Sequence, residues 1–142
     1  MKSAMALRNV RGFVSEFVAL ELLSALGKKR RSGLITASRY RTAVPEFHKD
    51  FPRAFDFFRV DAPVVADSLA LVEKHHDRAT GAMDILHLAS ARKAALLCKP
   101  LPLVLISCDR PLLEVAQAEG VATYNPEAEP QAALRAALWL RS

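Results

Sequence analysis

The chain reads as an α/β protein built on a parallel sheet, and three observations carry that reading. Short apolar runs of strand character alternate with longer segments of helical period. Capping residues stand where the strands hand over to helices. Hydrophobic residues make up 51% of the 142 positions, enough for the core of one domain. Strands separated by helices imply parallel strands with helices on both faces of the sheet.

The elements follow in order. Val10–Val14 is a short strand, and Ser15 can cap a helix from Glu16 to about Lys29. That helix is apolar around most of its circumference, which predicts burial. Its end is marked by Gly27 and the cluster Lys28, Lys29, Arg30 and Arg31, where cations complement the helix dipole. Ser32-Gly33 is a turn, and Ser38 is a second cap. From Ser38 to about Phe55 the apolar spacing Tyr40, Val44, Phe47, Phe51, Phe55 is helical, with Pro45 and Pro52 as sites for a bend or break. Asp56–Val60 is a strand. Pro63 sits early in a helix that reaches about His76, with Val64 or Val65, Leu69, Leu71 and Val72 inward. After the loop 75–81, a helix spans Ala82 to about Leu97. Leu103–Ser107 is a strand, and Asp109 or Arg110 opens a helix that Gly120 ends. Val121–Tyr124 is the last strand, and Gln131–Leu140 is a terminal helix bearing Trp139.

The net charge of +5 is uneven. Residues 1–60 hold 12 Lys/Arg against 5 Asp/Glu, and residues 61–142 hold 8 against 10. A basic half suits a polyanion such as nucleic acid, and equally a plain solvated surface. The two cysteines, Cys98 and Cys108, lie in apolar stretches and read as small buried core residues. They make neither a disulfide framework nor a zinc site. No apolar run reaches the roughly 20 residues of a membrane span, and the start lacks a signal-peptide h-region, so a cytoplasmic protein without membrane contact is expected. Walker and dinucleotide glycine loops are absent.

Three acids stand in apolar surroundings: Glu21 within Phe17–Leu23, Asp84 within Ala82–Leu88, and Asp109 at the end of Leu103–Cys108. An ionised carboxylate in such surroundings costs several kcal/mol, to order of magnitude, unless it is paired, hydrogen-bonded or bound to a cation. Each has a plain alternative: helix-surface acid, first-turn acid and N-cap. Together they point to a shared hard cation, Mg²⁺ or Mn²⁺, for which oxygen ligands are suited. Ser107, two residues before Asp109, points to the same side and can orient a carboxylate or a water. His87, one turn beyond Asp84, reads as a hydrogen-bonded core residue rather than a ligand. Asp67 and Asp77 read as exposed acids. A hard cation beside a basic neighbourhood suits phosphodiester hydrolysis.

Three segments resemble the acidic motifs of PIN-domain ribonucleases, in particular VapC-type toxins. They are Ser15–Leu26 around Glu21, Ala82–Ala91 around Asp84 and Ile106–Leu113 around Asp109, in family order. The resemblance covers roughly residues 8–127, leaving 128–142 as a C-terminal helical extension. It implies a three-layer α/β/α sandwich with a parallel sheet and an Mg²⁺- or Mn²⁺-dependent endoribonuclease acting on RNA. It also implies a homodimer and a cognate antitoxin whose tail covers the acidic pocket. Glu21, Asp84 and Asp109 would be the metal-binding and catalytic acids, with Ser107 as accessory. Lys28, Lys29, Arg30, Arg31, Arg39 and Arg41 could steer RNA.

The chain departs from the family in one respect. Family members begin with a strand carrying Asp followed by Ser or Thr, and no such segment precedes Glu21. The missing first strand would lie centrally, between the strand ending near Val14 and the one ending near Ser107. Its loss would remove one acid and expose two strand edges. Either the start is misassigned or the chain is a remnant that binds antitoxin or RNA without cutting. An in-frame Asp-Ser or Asp-Thr strand in the DNA upstream of Met1 would separate the two.

Overall fold

The computed structural model describes residues 10–138. They form two compact units, Val10–Arg59 and the residues from Val60 onward. Each is mixed α/β and each contains one pair of parallel strands.

In Val10–Arg59, strand β1 (Phe13–Ser15) leads directly into helix α1 (Glu16–Arg31). Gly33, at φ 77°, makes the turn to helix α2 (Ala37–Ala54), and strand β2 (Asp56–Phe58) closes the unit. β1 and β2 pair in parallel, Phe13 with Asp56 and Ser15 with Phe58. The Arg11–Asp56 ion pair, 2.7 Å, pins the start of the ladder. Thr36, not Ser38, caps α2: its Oγ1 accepts from the Arg39 N–H at 3.2 Å. Pro45 and Pro52 lie within one continuous helix. Each forfeits a single hydrogen bond, and the stacked rings of Phe47 and Phe51, with centroids 4.7 Å apart, bridge the interval between them.

Helix α1 departs from the expected burial. It has no buried residue, and Leu20 is 63% exposed. Within its unit only α2 and two three-residue strands offer apolar surface, too little to cover a helix that is apolar all round. Phe51 is the unit's one buried apolar side chain, ringed by Phe47, Phe55 and Phe57. Gly12 belongs to this cluster. A methyl at its Cα would come within 3.1 Å of the Phe55 ring, so the absent side chain makes room for the aromatic.

The second unit runs helix α3 (Ala62–Lys74), helix α4 (Ala82–Leu97), strand β3 (Val104–Ile106), helix α5 (Arg110–Ala118), strand β4 (Ala122–Tyr124) and helix α6 (Gln131–Ala137). Its most extensive packing is α3 against α4. Asp61 ties the two together: Oδ1 accepts from the Val64 N–H at 3.2 Å, capping α3, and Oδ2 pairs with the Lys93 ammonium on α4. Lys93 in turn holds the Asp61 carboxyl below the usual carboxylate range. The buried stripe of α3 is Val64, Ser68 and Leu71, at i, i+4 and i+7. Leu69 and Val72, expected inward, lie on the solvent side, Leu69 63% exposed. Ser68 fits the core because its hydroxyl donates to the Val64 carbonyl at 2.8 Å.

Leu88, Val115 and Leu134 are among the fully buried side chains of this core. β3 and β4 pair in parallel, Val104 with Ala122 and Ile106 with Tyr124. Gly120, at φ 73°, lets the chain leave α5, and the Val121 N–H returns to the Ala116 carbonyl at 2.9 Å. Leu134 seats α6 in the core, while the expectation for Trp139 falls outside the described residues.

Among the described residues β1 pairs only with β2 and β3 only with β4. The parallel direction agrees with the sequence reading; a continuous sheet does not appear among them. Cys98 is half-buried and Cys108 is exposed, so Cys108 is no core residue. The strand ends at Ile106, which leaves Cys108 in the turn before α5.

Candidate functional site

Asp84, Asp109 and Ser107 belong to the second unit; Glu21 belongs to Val10–Arg59. Asp84 is the third residue of α4, half-buried, behind the N-cap Gly81. Its carboxylate folds back over the cap, where a methyl on Gly81 would lie 2.9 Å from Oδ2. An acid in this position is favoured by the positive end of the helix. His87, one turn on, is half-buried.

Asp109 is the N-cap of α5, exposed, three residues past the end of β3. Its Oδ1 accepts from the Leu112 N–H at 2.8 Å, and its Oδ2 has no protein hydrogen bond among the described residues. Pro111 falls in the first turn, where its missing N–H costs nothing. Ser107 Oγ accepts from the Asp109 backbone N–H at 3.0 Å. Ser107 therefore fixes the turn that carries the carboxylate, rather than the carboxylate itself. Its own N–H donates to the Tyr124 carbonyl at 3.2 Å, which anchors this turn to β4.

Glu21 lies mid-way along α1 and is half-buried. Ser24, Lys28 and Arg31 follow it at i+3, i+7 and i+10, on one side of the helix. Among the described residues no group of three His, Cys, Asp or Glu side chains is placed to hold a metal ion.

A polar cluster that the sequence did not announce surrounds Glu119, the C-cap of α5. Its side chain is 7% exposed and meets Lys74 Nζ at 2.7 Å, His75 Nε2 at 2.6 Å and Arg92 Nη1 at 3.1 Å. Arg92 also reaches Asp67 at 3.4 Å, so Asp67 is a half-buried partner and not a free surface acid. The cluster joins the ends of α3 and α5 to the middle of α4. In the sequence Glu119 reads only as a helix end beside Gly120, because its partners are 27 to 45 positions away.

The hydrogen bond from Lys74, then that from His75, holds the Glu119 carboxyl below its ordinary value of 4.5. A depressed carboxyl stabilises the fold above its unfolded value and loses that contribution as pH falls through the folded one. Glu119→Gln is expected to cost about 2–3 kcal/mol at pH 7. Breaking a buried ion pair costs about 3–5 kcal/mol, and here Lys74 and Arg92 can turn partly to water. Urea unfolding at pH 7 and pH 4 checks it: the native chain loses stability in acid through this carboxylate, and the Gln variant lacks that component.

Comparison with known protein families, curated proteins and solved structures finds no match to this chain.

Proposed function

We propose that the chain is a metal-dependent endoribonuclease of PIN type, similar to VapC toxins, that hydrolyses RNA phosphodiester bonds. The observation that carries the reading is the position of Asp109. It stands just past a parallel strand, at the start of a helix, where open α/β folds bind their ligands. One carboxylate oxygen secures the helix, and the other has no protein hydrogen bond among the described residues. Asp84 opens the preceding helix, and Glu21 occupies the helix after β1.

Carboxylate oxygens suit Mg²⁺ or Mn²⁺, which take few protein ligands and keep several waters. Such an ion, when bound, offsets charge on the phosphoryl oxygens and acidifies water. Asp109 and Asp84, both in the second unit, would offer it carboxylate oxygens, and Ser107 would keep the Asp109 turn in register. The full three-layer sandwich belongs to this proposal. The test is cleavage of a structured RNA by the full chain with Mn²⁺ and with EDTA. Cleavage in Mn²⁺ alone is expected; none in either condition sinks the enzymatic reading.

A second reading has its own support. Asp109 caps its helix and Asp84 occupies a first helical turn, where an acid is favoured, as expected of a non-catalytic relative that binds antitoxin or RNA without cutting.

The proposal includes a homodimer and an antitoxin partner. Their support is the stripe Val65, Leu69 and Val72 on α3, exposed at i, i+4 and i+7, which offers one continuous apolar line. Leu69→Glu is expected to shift the chain to monomer in light scattering while leaving its circular dichroism unchanged; an unaltered oligomer places the interface elsewhere.

A further inference from the structure

We infer that the turn between α1 and α2 docks on an anionic lipid bilayer, with Leu34 entering the headgroup layer and the flanking cations on lipid phosphates. Leu34 is 74% exposed, the most exposed large apolar side chain among the described residues. It follows Gly33, whose φ of 77° makes the turn. Lys28, Lys29, Arg30 and Arg31 precede it, and Arg39 and Arg41 follow it. All six are exposed, and none forms an ion pair among the described residues. From Leu22 to Pro45 the chain carries no Asp or Glu.

Charge on this hairpin is sorted along its length. Leu26 of α1 lines one groove with Thr42, Ala43 and Glu46 of α2, so the two helices fold back on one another. On α1 the acids Glu16 and Glu21 precede the cations, and on α2 Glu46 and Asp50 follow them. Glu21 lies ten residues before the end of α1, and Glu46 lies nine beyond the start of α2. Those spacings set the acids back from the turn by roughly 15 and 13 Å along the helix axes. The end that carries Leu34 is therefore cationic throughout. The helix dipole favours Lys28–Arg31 at the end of α1 but opposes Arg39 and Arg41 near the start of α2, so stability does not explain the whole cluster.

A flat anionic surface fits this sorting. Approached tip first, it meets the cations ahead of any acid and gives Leu34 an apolar layer to enter. A nucleic acid strand pairs with the cations and leaves the aliphatic tip in water. No helix among the described residues is long and apolar enough to cross a membrane. The sequence expectation of no membrane contact rested on the length of apolar runs, which governs spanning and not docking from one side. The inference stands apart from the nuclease reading, because docking requires none of the candidate acids.

Co-sedimentation of the full chain in EDTA with phosphatidylcholine vesicles, pure or mixed with phosphatidylserine, tests this over a salt series. The native chain is expected to bind the mixed vesicles at least about tenfold more tightly than the pure ones, and less tightly as salt rises. The variant K28Q/K29Q/R30Q/R31Q is expected to lose about tenfold or more of that affinity. Leu34→Ser is expected to lose about fivefold with its salt dependence unchanged, because it removes apolar contact and no charge. Leu97→Ser, at a position 69% exposed in the other unit, should bind as the native chain does. These exposed positions should leave the circular dichroism of all three variants unchanged. Equal binding to the two vesicle types overturns the proposal, and so does equal binding by Leu34→Ser and the native chain. Single-stranded RNA held through the same four cations, with no binding to the mixed vesicles, also overturns it and gives the cations to RNA.

Discussion

Phe51→Ala is expected to unfold the Val10–Arg59 unit while leaving the rest of the chain folded. Removing a buried phenylalanine costs about 3–5 kcal/mol in an ordinary core. Here the loss falls on a unit whose one buried apolar side chain is Phe51 itself. Its ring contacts Phe47, Phe55 and Phe57, at 4.7, 5.2 and 5.6 Å between centroids, so truncation opens the whole aromatic cluster. It also frees β2, which Phe57 joins to α2. A unit this small has no second cluster to take the load. Far-ultraviolet circular dichroism should show the loss of roughly the α1 and α2 contribution. Amide exchange should rise to the free-chain rate over 13–58 and stay slow over α3 and α4. Uniform loss of protection would mean that the two units unfold as one.

On the proposed nuclease reading, Asp109→Asn is expected to lower Mn²⁺-dependent RNA cleavage by about 100-fold or more and to leave stability nearly unchanged. The two effects separate because asparagine caps a helix as well as aspartate does. The Oδ1 bond to the Leu112 N–H survives, while the charge on the exposed carboxylate disappears. Losses of 10²–10³ are typical when one group that stabilises transition-state charge is removed. Asp109→Ala is the control for the structural role and should cost about 1 kcal/mol through the lost cap. Equal cleavage by native and Asn chains would reduce Asp109 to a cap.

Much of the fold was legible because local chemistry declared it. Gly33 and Gly120 mark the turns, Pro63 and Pro111 mark first helical turns, and Asp109 reads as both strand end and cap. Errors gathered where packing overrides local signals. In α3 the apolar residues Val64, Val65, Leu69, Leu71 and Val72 allow two inward stripes; the structure selects the one containing Ser68, whose hydroxyl is satisfied by its own helix. The apolar circumference of α1 suggested burial that its short partners cannot supply. Of the candidate site, the cap geometry of Asp109 could be read from Asp-Arg-Pro alone. The link between Ser107 and the Asp109 backbone could not, because period-two geometry predicts a side and not a partner.

The register of the two strand pairs has a consequence for the order of folding. Pairing Phe13 with Asp56 closes a loop of 43 positions, whereas pairing Val104 with Ala122 closes one of 18. Chain entropy makes the longer closure about 0.8 kcal/mol harder before any contact is made. The α3–α4 hairpin needs only neighbouring segments, so it is the natural first structure to form, followed by β3–β4, with β1 joining β2 last. Mutations in α3 and α4 should then slow refolding, and those in β1 and β2 should mainly speed unfolding.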